Sequence, residues 1–220
     1  MIKIGYIEQI INLVFPPVCG FCNTINESYL CENCREKLKL IQKSKIDIYS
    51  SKSTNFIEHF YLYKYENEIR NYILNYKFKE KSYIYITFAQ ILIEDEIFNK
   101  FIKKYDCIIG VPIHKKRMKI RGYNQSELIA REIAVYYKKI FYRNVLKKIK
   151  NIVPQSSLNK EQRKLNAQGA YIVENKEKIQ GKNVLLFDDI FTTGATVEEC
   201  SKILLENGAL SVGICTIAKD

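Results

Sequence analysis

A chain of 220 residues, 47% hydrophobic and 27% charged, is sized for one substantial core plus a small appendage, and its composition excludes disordered and collagen-like classes. No stretch approaches the roughly 20 apolar residues needed to cross a bilayer, so stable membrane insertion is not expected. The formal charge of +11 is concentrated: residues 61–150 carry 20 basic and 9 acidic side chains, whereas the flanking segments nearly balance. Such an excess suits a polyanionic partner, either a phosphorylated substrate or nucleic acid; the plainer alternative is a Lys-rich solvated surface.

Taken in chain order, Met1 to Pro17 places Ile4, Ile7, Ile10, Ile11 and Val14 near a helical stripe, with Glu8 inside it and no small-residue cleavage site. This predicts a short amphipathic helix, not a signal peptide. With a four-cysteine module the helix makes a first unit, residues 1–40. Residues 41–59, Lys- and Ser-rich from Gln42 to Ser53, read as a linker to a main domain over 60–220. Alternation over Phe60–Tyr65 predicts a strand, Glu68–Tyr76 a helix, and Ile84–Phe101 a second helix.

After residue 104 the pattern becomes strand, helix, strand. Cys107–Val111 is a continuous apolar run ending at Pro112, as in a central parallel strand. Asn124–Lys139 reads as a helix, capped by Asn124 with Glu127 three residues on. Val184–Phe187 is a second buried strand, the helix after it ends at Asn207-Gly208, and Ser211–Ala218 is a last strand. Strands alternating with helices predict an α/β fold with a doubly wound, mostly parallel sheet. Residues 150–169 are polar and long, and are read as a lid loop.

Cys19-x-x-Cys22 and Cys31-x-x-Cys34 can surround one zinc ion with four thiolates at about 2.3 Å. A closed four-thiolate site leaves no open position, so its role would be structural. Seven cysteines and no secretory signal favour a reducing, cytoplasmic setting.

The sharpest signal is Val184-Leu-Leu-Phe-Asp188-Asp189-Ile-Phe-Thr192-Thr193-Gly194-Ala195-Thr196. A buried strand delivers two carboxylates to its C-terminal end, where open α/β sheets bind ligands. A small-residue turn into a helix then offers backbone N–H groups, hydroxyls and a helix N-terminus to a phosphate. Asp188 and Asp189 suit ribose hydroxyls or hydrated magnesium. Just past the Val111-Pro112 strand end, Lys115, Lys116, Arg117, Lys119 and Arg121 put five cations in seven residues. The Walker-type and dinucleotide-binding glycine motifs are missing.

That string resembles the signature of the type I phosphoribosyltransferases. The remainder resembles one branch of them, the ComF family of competence-associated proteins, which carries an N-terminal zinc module. The likeness includes Phe15-Pro16-Pro17 before the first cysteine pair, then Arg70, Ile73, Lys77 and Phe78. It continues through Val111-Pro112, Arg117, Arg121-Gly122-Tyr123-Asn124-Gln125, Gln155-Ser156-x-Leu158, Arg163 and Asn166. The resemblance implies that Thr192–Thr196 hold a ribose 5-phosphate and that Asp188 and Asp189 meet the ribose hydroxyls. It implies pyrophosphate held by the turn at Pro112 with Lys115, Arg117 and Arg121. Gln155, Ser156, Arg163 and Asn166 would belong to the closing lid. The implied ligand is magnesium-phosphoribosyl pyrophosphate. By the same resemblance the setting is DNA uptake in natural competence, with single-stranded DNA and a competence helicase as partners. Three readings stay open: a phosphoribosyltransferase of unnamed acceptor, a non-catalytic phosphoribosyl pyrophosphate or nucleotide sensor, and a single-stranded-DNA-binding accessory protein.

Overall fold

A computed structural model describes residues 16–50, 52–78, 81–151 and 160–220; the side chains of Lys160, Arg163 and Lys164 are not among the described parts. The expected N-terminal helix lies outside the described residues except for Pro16 and Pro17.

The chain runs α1 (Glu32–Ile41), β1 (Lys45–Ile48), β2 (Glu58–Lys64), α2 (Asn67–Phe78), α3 (Ile84–Glu94), α4 (Glu96–Phe101) and β3 (Cys107–Gly110). It continues through α5 (Lys115–Arg121), α6 (Gln125–Tyr136), β4 (Ile140–Phe141), β5 (Leu146–Lys148), α7 (Lys160–Ala167) and β6 (Tyr171–Val173). Last come β7 (Asn183–Phe191), α8 (Ala195–Glu206) and β8 (Ser211–Lys219). Six strands form one sheet in the order β1-β2-β8-β7-β3-β4, with only β1 antiparallel to its neighbour.

Burial on both faces explains why the central strands read as unbroken apolar runs. Ile108, Leu185, Phe187, Cys215 and Ile217 face one core, shared with α2, α3, α4 and α6. Cys107, Ile109, Val184, Leu186, Val212 and Ile214 face the other, against Val197, Cys200 and Leu204 of α8. The cysteine module joins the first core through Cys19, Phe21, Leu30, Cys34 and Leu38.

Several elements differ from the sequence expectation. The stretch read as a linker supplies β1, because Lys45–Ile48 pairs with Glu58–Tyr61. The helix expected over Ile84–Phe101 is two, broken at Asp95, whose extended backbone lets its carboxylate accept from the Phe98 N–H at 2.7 Å and cap α4. Strand β7 runs on through Phe191 instead of ending at Phe187, since β8 stays beside it to Lys219. The basic segment after Pro112 is a helix: the His114 ring accepts from the Lys116 N–H, and Gly122 closes the helix at φ 82°. Part of the long polar stretch is likewise helical, as α7, which packs on α8. Its base is an antiparallel hairpin of β5 and β6.

Candidate functional site

The site sits at the C-terminal ends of the parallel strands. Asp188 and Asp189 are consecutive in β7, so strand alternation sends them to opposite faces of the sheet. Asp189, 4% exposed, meets α2: Lys77 Nζ lies 2.8 Å from its Oδ1. Its Oδ2 is buried without a hydrogen-bond partner among the described residues. Asp188 accepts from the Ser126 hydroxyl at 3.0 Å and from the Asp189 N–H at 2.9 Å. Burial, and then the neighbouring Asp189 charge, push Asp188 up to about 7.

Ser126 reaches Asp188 because α6 starts directly over β3. A Cβ on Gly110 would lie 2.8 Å from the Glu127 backbone, so only glycine admits this approach. Asn124 fixes the helix start, donating to the Val111 carbonyl and accepting from the Ser126 N–H.

Beyond β7, Thr192, Thr193 and Gly194 turn the chain into α8, which begins at Ala195. Gly194 takes φ 76°, and a Cβ there would come within 2.7 Å of the Phe191 ring. Phe191 also stacks against His59, with centroids 4.4 Å apart. His59, for which the sequence suggests no partner, is wholly buried; its Nε2 lies 2.8 Å from Thr216 Oγ1, and burial drops its pKa to about 3. A neutral imidazole thus backs the ring on which the turn rests. The turn sits at the positive end of a twelve-residue helix, an arrangement that favours an anion.

Of the expected pyrophosphate residues, Pro112 is buried and Lys115 is exposed on α5. Arg121 turns inward: its guanidinium donates to Gln125 Oε1 and lies 5.4 Å from the Phe78 ring centroid, within electrostatic reach of Asp189. Arg117, half-buried on α5, lies within electrostatic reach of Lys148 and Tyr171. Lys148, on β5, is held below its ordinary pKa by burial, with Arg117 adding to the effect. Of the residues expected in a lid, Gln155 and Ser156 lie outside the described residues, as does the Arg163 side chain; Asn166 is on α7. The chain after α7 is tied down where the Gly169 N–H donates to Glu199 Oε1 at 2.6 Å.

Sequence reasoning missed Ser126, Lys148 and His59 as parts of this region, and noted Lys77 only within a pattern. Nothing local marks them, because each is defined by a partner tens of residues away.

The second centre is the cysteine module. The ligand sulfurs of Cys19, Cys22, Cys31 and Cys34 all lie within 4.8 Å of one another, and Cys22 Sγ and Cys31 Sγ are 3.6 Å apart. Tetrahedral zinc with bonds of about 2.3 Å needs sulfurs about 3.8 Å apart, so the donor set fits zinc. Thr24, whose hydroxyl lies 3.2 Å from Cys22 Sγ, draws that thiol down to about 6, while burial raises Cys34. These four residues can hold a structural zinc.

Residues 127–220 match the model of the phosphoribosyl transferase domain, and residues 10–46 that of the double zinc ribbon domain. Competence protein F of Haemophilus influenzae is 27% identical over 209 residues, 92% of this chain and 85% of the relative. Over most of its length the chain is similar to the ComF family of competence proteins. Competence protein ComFC of Streptococcus pneumoniae is likewise similar, 28% identical over 198 residues, 89% of this chain and 84% of that one. The DNA utilization protein YhgH of Salmonella typhimurium is 28% identical over 146 residues, 65% of this chain; the match spans 63% of that relative's own length. Among solved structures, orotate phosphoribosyltransferase from Aeropyrum pernix shares 14% identity and a TM-score of 0.39, covering 85% of this chain and 80% of its own. Among the described residues no helix is long and apolar enough to cross a membrane.

Proposed function

We propose that this ComF-like chain binds magnesium-phosphoribosyl pyrophosphate across the C-terminal ends of β3 and β7 and serves the handling of incoming DNA. One observation carries the reading: a left-handed glycine, Gly194, opens the N-terminus of α8 five residues beyond two consecutive carboxylates, at the ligand-binding edge of a parallel sheet. The 5-phosphate would take the amides of Thr192–Thr196, and the ribose hydroxyls the Asp188–Asp189 pair. The pyrophosphate would lie between Arg117, Arg121 and Lys148, with Lys115 at the rim. Asp189 Oδ2, buried and unpartnered among the described residues, is an acceptor in need of a donor, which a ribose hydroxyl or magnesium-bound water supplies.

In a transfer reaction the C1–pyrophosphate bond breaks through an oxocarbenium-like state, and the departing pyrophosphate gains negative charge. Fixed cations facing it would stabilise that charge most in a water-excluded cleft. The segment 150–169, anchored by the β5–β6 hairpin, would exclude the water. Magnesium supplies charge neutralisation on the pyrophosphate oxygens.

Calorimetry with magnesium-phosphoribosyl pyrophosphate tests the reading. Saturable binding that weakens by about 100-fold in the Asp188→Asn/Asp189→Asn variant is expected; a folded wild-type chain that takes up no heat at millimolar ligand rules it out. The DNA role follows the relatives' names and the basic 61–150 segment, whose Lys115, Lys116 and Lys119 stand exposed on α5. Binding to single-stranded DNA should then weaken steeply with salt, with a log–log slope near −0.7 per phosphate neutralised.

A further inference from the structure

The two centres are joined by a continuous run of packed rings. Phe21 sits between the first two cysteines, with its ring centroid 4.1 Å from Tyr72 and 5.4 Å, edge-on, from Phe88. Phe88 lies 6.1 Å from Tyr76, which is wholly buried and four residues beyond Tyr72, on the same face of α2. The Tyr76 hydroxyl donates to the Gln125 carbonyl at 2.8 Å, and its ring stacks on Tyr123 at 5.7 Å; Tyr123 in turn donates to the Tyr76 carbonyl.

From Tyr76 the path divides at once toward both carboxylates. The next residue on α2 is Lys77, 2.8 Å from Asp189. The residue after Gln125 is Ser126, which donates to Asp188. The knuckle holds the far side as well: Asn23 Oδ1 accepts from Lys81 Nζ and from the Tyr83 hydroxyl, each at 2.9 Å, and Thr87 of α3 donates to the Tyr29 carbonyl at 2.7 Å.

We propose that metal occupancy of the four-thiol site and ligand occupancy of the acidic cleft are thermodynamically coupled through Phe21, Tyr72 and Tyr76, with Lys77 the positioning residue that transmits the coupling to Asp189. A small cysteine knuckle has too little core to hold its shape without metal, so metal binding is part of its folding free energy. With the knuckle loosened, Phe21 leaves Tyr72, and the C-terminal half of α2 loses the surface that sets its angle. Lys77 and Ser126 are then no longer held at the distances that poise the carboxylates. Coupling of this kind is reciprocal: ligand in the cleft must tighten metal by the factor by which metal tightens ligand. The ligand half rests on the reading of the cleft given above; the metal half does not.

The experiment uses the full chain, zinc-loaded and chelator-stripped. Amide hydrogen exchange is followed in residues 67–78 and 125–128, with β7 and β8 as internal standards. Stripping should speed exchange in those two segments at least tenfold and leave β7 and β8 protected. The dissociation constant of magnesium-phosphoribosyl pyrophosphate should rise about tenfold, and bound ligand should slow zinc transfer to a chromophoric chelator by the same factor. Phe21→Leu retains all four thiols; zinc-loaded, it should show the weaker ligand binding and lose the slowing of zinc transfer. Lys77→Met should weaken the ligand without altering zinc transfer in its absence, and Lys77→Arg should restore most of the affinity. Unchanged exchange in 67–78 on stripping overturns the coupling, as do equal ligand affinities in loaded and stripped protein. If stripping unfolds the whole chain, Phe21→Leu decides: wild-type affinity in that variant overturns the proposal. If zinc-loaded wild type binds no phosphoribosyl pyrophosphate, the cleft reading fails, and the exchange experiment alone still decides the metal half.

Discussion

Two buried carboxylates at opposite edges of the same sheet have opposite lives. Glu58, at the N-terminal edge of the parallel strands, accepts from Lys104 Nζ at 2.7 and 3.1 Å and from the Tyr105 hydroxyl at 2.7 Å. Asp189, equally buried at the C-terminal edge, has one lysine and a second oxygen with no donor among the described residues. A buried acid whose acceptors are all filled is architecture; one left short, beside a second acid and a phosphate-type turn, is waiting for a ligand. Burial alone does not separate the two, and counting donors does.

The comparison breaks most visibly if the site acids are removed. Asp188→Asn with Asp189→Asn should lower affinity for magnesium-phosphoribosyl pyrophosphate by about 100-fold, or roughly 2.7 kcal/mol, without lowering the melting temperature. Glu58→Leu should do the reverse. It strands the buried Tyr105 hydroxyl, costing about 1–3 kcal/mol and some 3–10 °C of thermal midpoint, while calorimetry shows unchanged ligand binding. A loss of affinity in Glu58→Leu to match its loss of stability would remove the distinction.

Gly194→Ala is smaller and mixed. Positive φ and the Phe191 ring together should cost about 1–2 kcal/mol, read by thermal denaturation, with ligand affinity falling alongside. The smallest effect sharpens the picture through pH. Asp188 has a folded pKa of about 7 against an ordinary 3.8, so the fold favours its protonated form. That contribution is complete below pH 3.8 and is lost as pH rises through about 7. Asp188→Asn should therefore melt about 2–4 °C above wild type at pH 8, roughly 1 kcal/mol, and show no gain at pH 4.

Legibility in the sequence followed the range over which each feature is determined. The second core strand and its turn were readable because four apolar residues, two acids and a small-residue loop specify them within thirteen positions. The metal ligands were readable for the same reason. By contrast, β1 carries Lys45 and Asp47 among polar neighbours and becomes a strand only because Phe60 and Tyr61 lie opposite. Helix α5 has no buried residue, so no apolar stripe announces it; two caps define it. The break at Asp95 hides in an apolar helical pattern until Gln42 and Ser44 are seen donating to its carboxylate. Lys77, Ser126 and Lys148 approach Asp188 or Asp189 only once the sheet has formed.

The burial of Cys107, Cys200 and Cys215 has a practical corollary. With those three thiols sealed inside the sheet's two cores, and Cys19 and Cys34 buried in the N-terminal module, an alkylating reagent added to native protein meets thiol at Cys22 and Cys31. Mass increments on the intact chain would then report whether Cys22 and Cys31 are held by metal, turning a routine labelling assay into a gauge of how fully each preparation is metallated.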